Sequence, residues 1–393
     1  YEDVTNIDAV GLITARDGII VGSGITLSVD GDIFATGIST FSEGIVTSSD
    51  ITVNSVTVGK GANSVAGNTV VGESALDAVT TGGNNVAIGL EALTANTTGD
   101  GHVSVGRHSL RANTTGVNNS AIGFNALKAN TTAANNTAVG NEALTANTTG
   151  NSNVAVGAAA LDANTTASNN TAIGKDALTA NTTGAQNTAV GQGALKSNTT
   201  ASYNVAMGYL ALEDNVTGAS NVAVGSFALE GNLASYNTAV GDVSLRVNTT
   251  GSNNTAVGKG SLGANTTGTE NTAVGSETLE TNITGQRNTA IGYRALEDNT
   301  GDMNTAVGAY ALPENSTGDH NVAIGRNALR YNTTADQNTA VGALALDGTT
   351  TGGNNVAVGY YALKANTTGA GHVAIGVNAS DAITTNNYTT AIG

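Results

Sequence analysis

A pattern of apolar and polar positions repeats along the chain from Gly72 to Gly393. With the Gly that closes each A-V-G or A-I-G as the marker, copies follow one another every 17 residues, apart from two intervals of 16, at 225–241 and 292–308. The consensus is G-x-x-A-L-x-A-N-T-T-G-x-x-N-[TV]-A-[VI]. So regular a period predicts a solenoid in which each copy forms one rung.

The segment N-[TV]-A-[VI]-G predicts a short strand, because β-branched residues alternate in it with Ala. Thr137 and Val154 fill the same position because both have the β-branched shape that suits a pleated surface. A second segment, A-L-x-A, has Leu four residues after the marker in 18 of 19 copies and Ser380 in the other. We therefore expect two short strands per rung, joined by Gly-containing turns, with Val, Ile and Leu filling the space between two sheets.

The N-T-T-G segment is predicted to be a turn, because both short copies lose their residue there. The losses fall at Asn232-Leu233-Ala234 and Asn299-Thr300-Gly301. A deletion inside a paired strand would reverse every later side chain, whereas a loop absorbs it. We expect the Asn to cap this corner or to form a ladder along it, and the Gly to supply a positive φ. Successive rungs should lie directly on one another, with the leucines in a continuous internal column.

Residues 1–60 lack the 17-residue period. Stretches such as GIIVGSGITLSVDGDIFATG keep a period of two with Gly and Asp at the turns. We predict a β-rich, intertwined segment over 1–60, followed by a solenoid over 61–393. The chain starts at Tyr1 and stops at Gly393 in mid-repeat, so we expect it to be part of a longer polypeptide.

The composition favours closely stacked β-structure and argues against a compact globular core. There are 52 Gly and 4 Phe, with no Trp or Cys, although 39% of the residues are hydrophobic. The formal net charge is −16, from 14 Lys plus Arg against 30 Asp plus Glu. An acidic chain without basic clusters is a poor nucleic-acid binder, because phosphates are neutralised by Lys and Arg. No apolar run approaches the ~20 residues that cross a bilayer, so no membrane insertion is expected.

No catalytic, cofactor-binding or metal-binding residue is predicted, and no enzyme activity or cofactor is expected. His102 and His372 occupy the slot that usually holds Asn before the strand, so each is predicted to replace a corner hydrogen-bonder. Acidic residues such as Glu91 and Glu277 fall at variable positions, which is typical of a solvated face. The stretch 29–32, Val-Asp-Gly-Asp, is a turn in this interpretation, with calcium binding as the alternative.

One position points beyond a single chain. The residue two before each marker Gly is Ala in 18 of 20 copies, whereas the x positions vary freely and show no aromatic or basic cluster. Since this Ala should point away from the β-branched face, its constancy predicts a second contact outside the rung. The simplest partner is another copy of the chain.

The repeats resemble known fibre proteins. N-V-A-V-G (153–157) and H-V-A-I-G (372–376) resemble the head repeats of trimeric autotransporter adhesins, whose left-handed parallel β-rolls associate as trimers. The longer N-T-A-V-G-x-x-A-L-x-x-N-T-T-G resembles repeats of phage tail-fibre-domain proteins. The opening VTNIDAVGLITARDGIIVGSGITLSVDGDIFATG is similar to segments of structural proteins from marine cyanobacterial myophages.

The resemblance implies a left-handed, homotrimeric fibre of a phage virion, an extracellular tail-associated shaft that helps to attach the particle to its host. Its partners would be virion tail or baseplate proteins and a host cell-surface receptor such as a glycan. A trimeric adhesin on a bacterial cell surface is the alternative. A third possibility is an ice-binding solenoid, because Thr-Thr pairs recur on most rungs; the substitutions Val216, Leu233 and Ile283 in those pairs argue against it.

Overall fold

The computed structural model describes residues 50–393, which form an all-β parallel solenoid of about 19 turns. Each rung contributes one short strand, and a single 3₁₀ helix spans Ala62–Ser64. The strands are β1 (Ile51–Val53), β2 (Val56–Gly59), β3 (Thr69–Gly72), β4 (Val86–Ile88), β5 (Val103–Val105), β6 (Ser120–Ile122), β7 (Thr137–Val139), β8 (Val154–Val156), β9 (Thr171–Ile173), β10 (Thr188–Val190), β11 (Val205–Met207), β12 (Val222–Val224), β13 (Thr238–Val240), β14 (Thr255–Val257), β15 (Thr272–Val274), β16 (Thr289–Ile291), β17 (Thr305–Val307), β18 (Val322–Ile324), β19 (Thr339–Val341), β20 (Val356–Val358), β21 (Val373–Ile375) and β22 (Thr390–Ile392).

The strands β3 to β22 pair in parallel and in register, each with the next in sequence. Ala138 lies opposite Ala155, for example. The register survives both short rungs, where Ala223 lies opposite Ala239 and Ala290 opposite Ala306. The predicted stacking is confirmed, and so is the turn at N-T-T-G as the place that absorbs a deletion.

The first strand of the stack is covered by an antiparallel hairpin. Strand β2 pairs antiparallel with β3 and also with β1. The Asp50 carboxylate accepts hydrogen bonds from the backbone N–H groups of Lys60 and Gly61, at 2.7 and 2.8 Å. The hairpin therefore occupies the edge of β3, which would otherwise present unpaired backbone groups. Most of the segment predicted at 1–60, including 29–32, lies outside the described residues.

The core is a column of leucines faced by alanines. Leu144, like its equivalents along the stack, is fully buried, as are Ala138 of the strand and Ala143 before the leucine. The predicted leucine column is confirmed. The predicted orientation of the strand is wrong, because Ala points inward, whereas Thr137 and Val139 lie on the outer surface. The leucine side chains occupy the interior, and the strand position opposite them holds a small residue, Ala in all described rungs except those of the buried Val70 and Ser104.

The A-L-x-A segment is a turn and not the predicted second strand. Leu144 has φ = 55°, and the other core leucines share this left-handed conformation. Its N–H still donates to the next rung, at 2.9 Å from Ala160 O, so the backbone ladder continues through the turn. The left-handed backbone conformation directs the leucine side chain into the interior. Burial of that side chain offsets the conformational cost of about 1–2 kcal/mol.

The Gly of N-T-T-G was expected to supply a positive φ, and this is also wrong. Gly150 does not have a positive φ, whereas the marker Gly after each strand does, as at Gly140 with φ = 140°. A Cβ added to Gly140 would lie 2.7 Å from the carbonyl carbon of Gly157, so the marker position also needs the close approach of two rungs. Among residues 50–393, no helix is long and apolar enough to span a bilayer.

Candidate functional surfaces

Two asparagine ladders run along the inside of the corners. In the first, Asn147 donates through Nδ2 to Asn130 Oδ1 of the preceding rung (3.2 Å) and to Gly150 O of its own turn (3.0 Å). In the second, Asn136 Oδ1 accepts the backbone N–H of Asn153 at 2.9 Å. These bonds satisfy the buried backbone of the turns. The expected Asn ladder is confirmed as a structural device.

The two histidines in the second ladder replace Asn, as predicted. His102 Nε2 lies 2.7 Å from Gly116 O, and its Nδ1 accepts the backbone N–H of Asn119 at 3.2 Å. Burial lowers the pKa of His102, so the neutral imidazole fits the ladder. His372 Nδ1 likewise accepts the N–H of Thr389, at 3.1 Å. Both rings thus take the place of Asn at their corners.

The first ladder is interrupted at three places. The Oδ1 atoms of Asn282, Asn332 and Asn366 are buried and have no hydrogen-bond partner among the described residues. After Asn282, the shortened turn directs Asn299 Nδ2 to Gly301 O. After Asn332 and Asn366, the next residue of the ladder is Thr349 and Ile383, respectively, instead of Asn. Each interruption leaves a buried acceptor unpaired, which is a local weakness of the stack.

We call the outward side chains of β3–β22 the strand face. It consists of two parallel columns, one of Thr, Val or Ser at the first strand position and one of Val or Ile at the third, with Met207 as the single exception. Neither column holds a charged residue. Ile122 and Ile173 remain 43% and 41% exposed, so the columns are open to solvent. The strand face is therefore an uncharged strip that follows β3 to β22.

We call the side formed by the G-x-x-A-L-x-A segments the turn face. Its aromatic side chains meet between rungs: Tyr209 and Phe227 stand edge to face with centroids 5.3 Å apart, and so do Tyr293 and Tyr310. Tyr360 and Tyr361 lie 3.9 Å apart. The prediction that the x positions show no aromatic cluster is therefore wrong. Residues that are 16–18 apart in the chain become neighbours, a pattern that appears only when the copies are aligned in register.

Guanidinium groups accompany the aromatic pairs. Arg246 lies 5.2 Å above the Phe227 ring, and Arg294 lies 5.3 Å above the Tyr293 ring. Each also pairs with a carboxylate of the preceding rung, Arg246 Nε with Glu230 at 2.7 Å and Arg294 Nε with Glu277 at 2.6 Å. Some acidic residues of this face are thus ion-paired, whereas the sequence predicted only that they would be solvated.

The carboxylates of Glu277, Glu280 and Glu297 lie within 4.8 Å of one another. Arg294 is inside this group, 2.6 Å from Glu277 and 3.6 Å from Glu297. Its hydrogen bond lowers the pKa of Glu277, whereas burial raises the pKa of Glu297. Because a guanidinium already pairs with two of the three carboxylates, the geometry favours an ion-pair network over a metal site.

No protein-family model matches the chain, and no curated protein matches it significantly. The function must therefore be inferred from the surfaces just described.

Proposed function

We propose that the protein is the shaft of a homotrimeric, left-handed fibre on a phage virion, which extends from the tail and helps to attach the particle to the host cell surface. Its partners would be two further copies of itself, virion tail or baseplate proteins and a host receptor. The virion role, the threefold order and the handedness follow the resemblance of the repeats. The observation that best supports self-association is the strand face.

The strand face has the size and chemistry of an interface. Its twenty strands, spaced ~4.8 Å apart and two outward side chains wide, give a strip of roughly 90 by 7 Å, on the order of 600 Å². The third-position column is apolar, whereas Thr or Ser fills 12 of the 20 first positions, so about half of the strip is continuously apolar. That part is near the few hundred Å² that contiguous apolar patches of monomeric proteins rarely exceed. A standard interface buries about 800 Å² per partner. The strip approaches that value, and its lack of charge removes the main cost of burying it.

Self-association was expected because the strand Ala was thought to face outward. That argument fails, since Ala138 and its equivalents are buried inside the rung. The β-branched columns on the opposite side of the same strands now support the same proposal. Val and Ile at the third position are large enough to interdigitate between chains, and their stiff side chains lose little entropy on association.

The fibre proposal is tested by measuring the mass of the full chain in solution. Light scattering after size-exclusion chromatography should give three times the chain mass, and negative-stain images should show thin rods. Placing lysines in the centre of the strand face should reduce the mass to one chain. The variant carries Val190→Lys, Val224→Lys and Val257→Lys.

A matched control places three lysines at partly or fully exposed variable positions of neighbouring rungs. It carries Ala158→Lys, Gln192→Lys and Ser226→Lys and should remain trimeric. A wild-type chain that is monomeric at micromolar concentration would overturn the assembly proposal, as would a strand-face variant that keeps its trimer mass.

The virion role is tested with antibodies against the chain. Gold-labelled antibodies should mark fibres that project from tailed particles. Labelling of bacterial surfaces in phage-free cultures would favour the adhesin alternative instead. The ice-binding alternative receives no support from the corner threonines: Thr148 Oγ1 donates to Thr165 O of the next rung at 3.0 Å, so its hydroxyl is already used. Thermal hysteresis at about millimolar concentration would revive it.

A further inference from the structure

One rung of the turn face lacks the side chains that its neighbours carry. In the rung after Gly258, glycines occupy the second x position (Gly260) and the position after the core leucine (Gly263). A Cβ added to Gly260 would meet nothing closer than 3.8 Å, so a side chain has room there but is absent. The result is a groove of about 350 Å³ across the turn face, which we call the notch.

The walls of the notch carry charged and polar groups on both sides. Val243 and Arg246 line it on the side of the preceding rung, and Glu280 and Thr281 line it on the side of the following rung. Glu280 belongs to the carboxylate group that contains Arg294. Each wall therefore offers hydrogen-bonding groups near a guanidinium, above a floor of backbone and the methyl group of Ala264.

An aromatic ring stands beyond each wall. Phe227 lies under Arg246, and Tyr293 lies under Arg294. These rings belong to rungs four apart, a separation of about 19 Å along the stack. Tyr293 is 42% exposed, and its partner Tyr310 is half-buried against it. Neither ring lines the notch itself, whose surface is mostly apolar, but one ring stands in a rung on each side of it.

We propose that the notch binds a neutral oligosaccharide that lies along the stack axis. Pyranose rings have apolar C–H faces that stack on aromatic rings, and they have vicinal hydroxyls that bind carboxylates and guanidinium groups in pairs. Tyrosine supplies such a platform at low entropic cost. The acidic surroundings oppose anionic polymers, because a phosphate chain needs a basic track. The inference deepens the proposed attachment function and rests on it for its biological meaning.

The second large groove of the turn face shares these features only in part. It has a volume of about 510 Å³ and is lined by alanines such as Ala112 and Ala129 together with Arg111 and Lys128. Arg111 pairs with Glu91 at 2.8 Å, and Arg107 lies 5.7 Å above the Phe124 ring, but no carboxylate lines the groove itself, whereas Glu280 lines the notch. It is a strip of small residues, and the saccharide proposal is confined to the notch.

The test uses the full chain and four tetrasaccharides as probes, namely cellotetraose, chitotetraose, maltotetraose and mannotetraose. Saturation-transfer NMR detects contact, and calorimetry gives the Kd. Gly260→Tyr should fill the notch and raise the Kd at least about tenfold. The fold accommodates this change, because Tyr310 holds the same position of its own rung with φ = 54°, close to the 66° of Gly260. Ala159→Tyr is the matched control, at the same position of a remote rung, and should leave the Kd unchanged.

A second pair of variants tests the aromatic platform. Tyr293→Ala should weaken binding by about tenfold, as expected for a lost stacking contact with its ordered surroundings. Tyr236→Ala removes a more exposed tyrosine (64%) from a different corner and should have no effect. Both variants should keep the circular dichroism spectrum and melting temperature of the wild type.

Three results would overturn the proposal. They are the absence of binding by all four probes, binding that Gly260→Tyr leaves intact, and displacement of the bound probe by tetra-arginine at low salt, which would assign the notch to a basic peptide. If the chain is trimeric and binds no probe, the saccharide proposal fails and the fibre proposal stands. If the chain is monomeric and binds a tetrasaccharide at the notch, the fibre proposal fails and the saccharide proposal stands.

Discussion

The left-handed conformation of the core leucines gives a sharp test of the fold at Leu178. This residue has φ = 52°, is fully buried, and donates its N–H to Ala194 O at 3.0 Å. The preceding residue, Ala177, is equally buried but does not have a positive φ. The two positions share their rung and their burial, so they separate the conformational effect from packing.

Leu178→Ala should destabilise the stack by about 2–5 kcal/mol, the range for a buried leucine that leaves a cavity. Replacing that alanine by glycine removes a further methyl group, worth ~0.8 kcal/mol, and adds about 0.5–1 kcal/mol of backbone entropy. It also relieves about 1–2 kcal/mol of left-handed strain. These contributions nearly cancel, so Leu178→Gly should be as stable as Leu178→Ala.

The same alanine-to-glycine step at Ala177 has no strain to relieve. Ala177→Gly should therefore cost about 1.3–1.8 kcal/mol. The difference between the two steps isolates the strain, at about 1–2 kcal/mol. A solenoid loses stability locally, so amide hydrogen exchange of the rungs around Leu178 is the assay, with urea midpoints of the full chain as a second measure. Equal costs of the step at both positions would refute the assigned backbone conformation, and an unchanged stability of Leu178→Ala would refute the leucine core.

Two further predictions concern the ladders. Burial lowers the pKa of His102 in the folded chain below its ordinary value of 6.5. As the pH falls below 6.5, the imidazole is therefore protonated more readily in the unfolded chain than in the folded one, and the free energy of unfolding decreases. His102→Asn should reduce the drop in melting temperature between neutral pH and about pH 5. The control His320→Asn, at an exposed turn, should leave that drop unchanged. Equal drops in the wild type and in His102→Asn would contradict the role of the buried ring. Thr349→Asn should restore the donor that Asn332 Oδ1 lacks and raise the free energy of unfolding in urea by about 0.5–1.5 kcal/mol. The control Thr351→Asn, on the exposed side of the turn, should change this free energy little. Destabilisation by Thr349→Asn would mean that the ladder cannot be continued there.

The candidate sites differ in how far the sequence foretold them. The roles of His102 and His372 were predictable, because each stands where other copies have Asn, and one slot in a stack has one environment. The notch was not predictable from the chain read in a line, since Arg246, Gly260 and Glu280 are brought together only by stacking. Aligned copies do carry a signal for it, because in the described rungs only this one has glycine at both positions, although Gly193 occupies the first of them elsewhere.

The sequence by itself determined the period, the parallel stacking, the buried leucine column and the corner that absorbs deletions. These follow from spacing, because every copy must meet the same environment as its neighbours. Only the tertiary structure decided which side of each strand is buried. Alternation marks two faces in Thr137-Ala138-Val139 but does not say which one is inside. The interior volume decides it: left-handed leucines such as Leu144 already fill the space, so the methyl of Ala138 fits inward and the bulkier β-branched side chains lie outward.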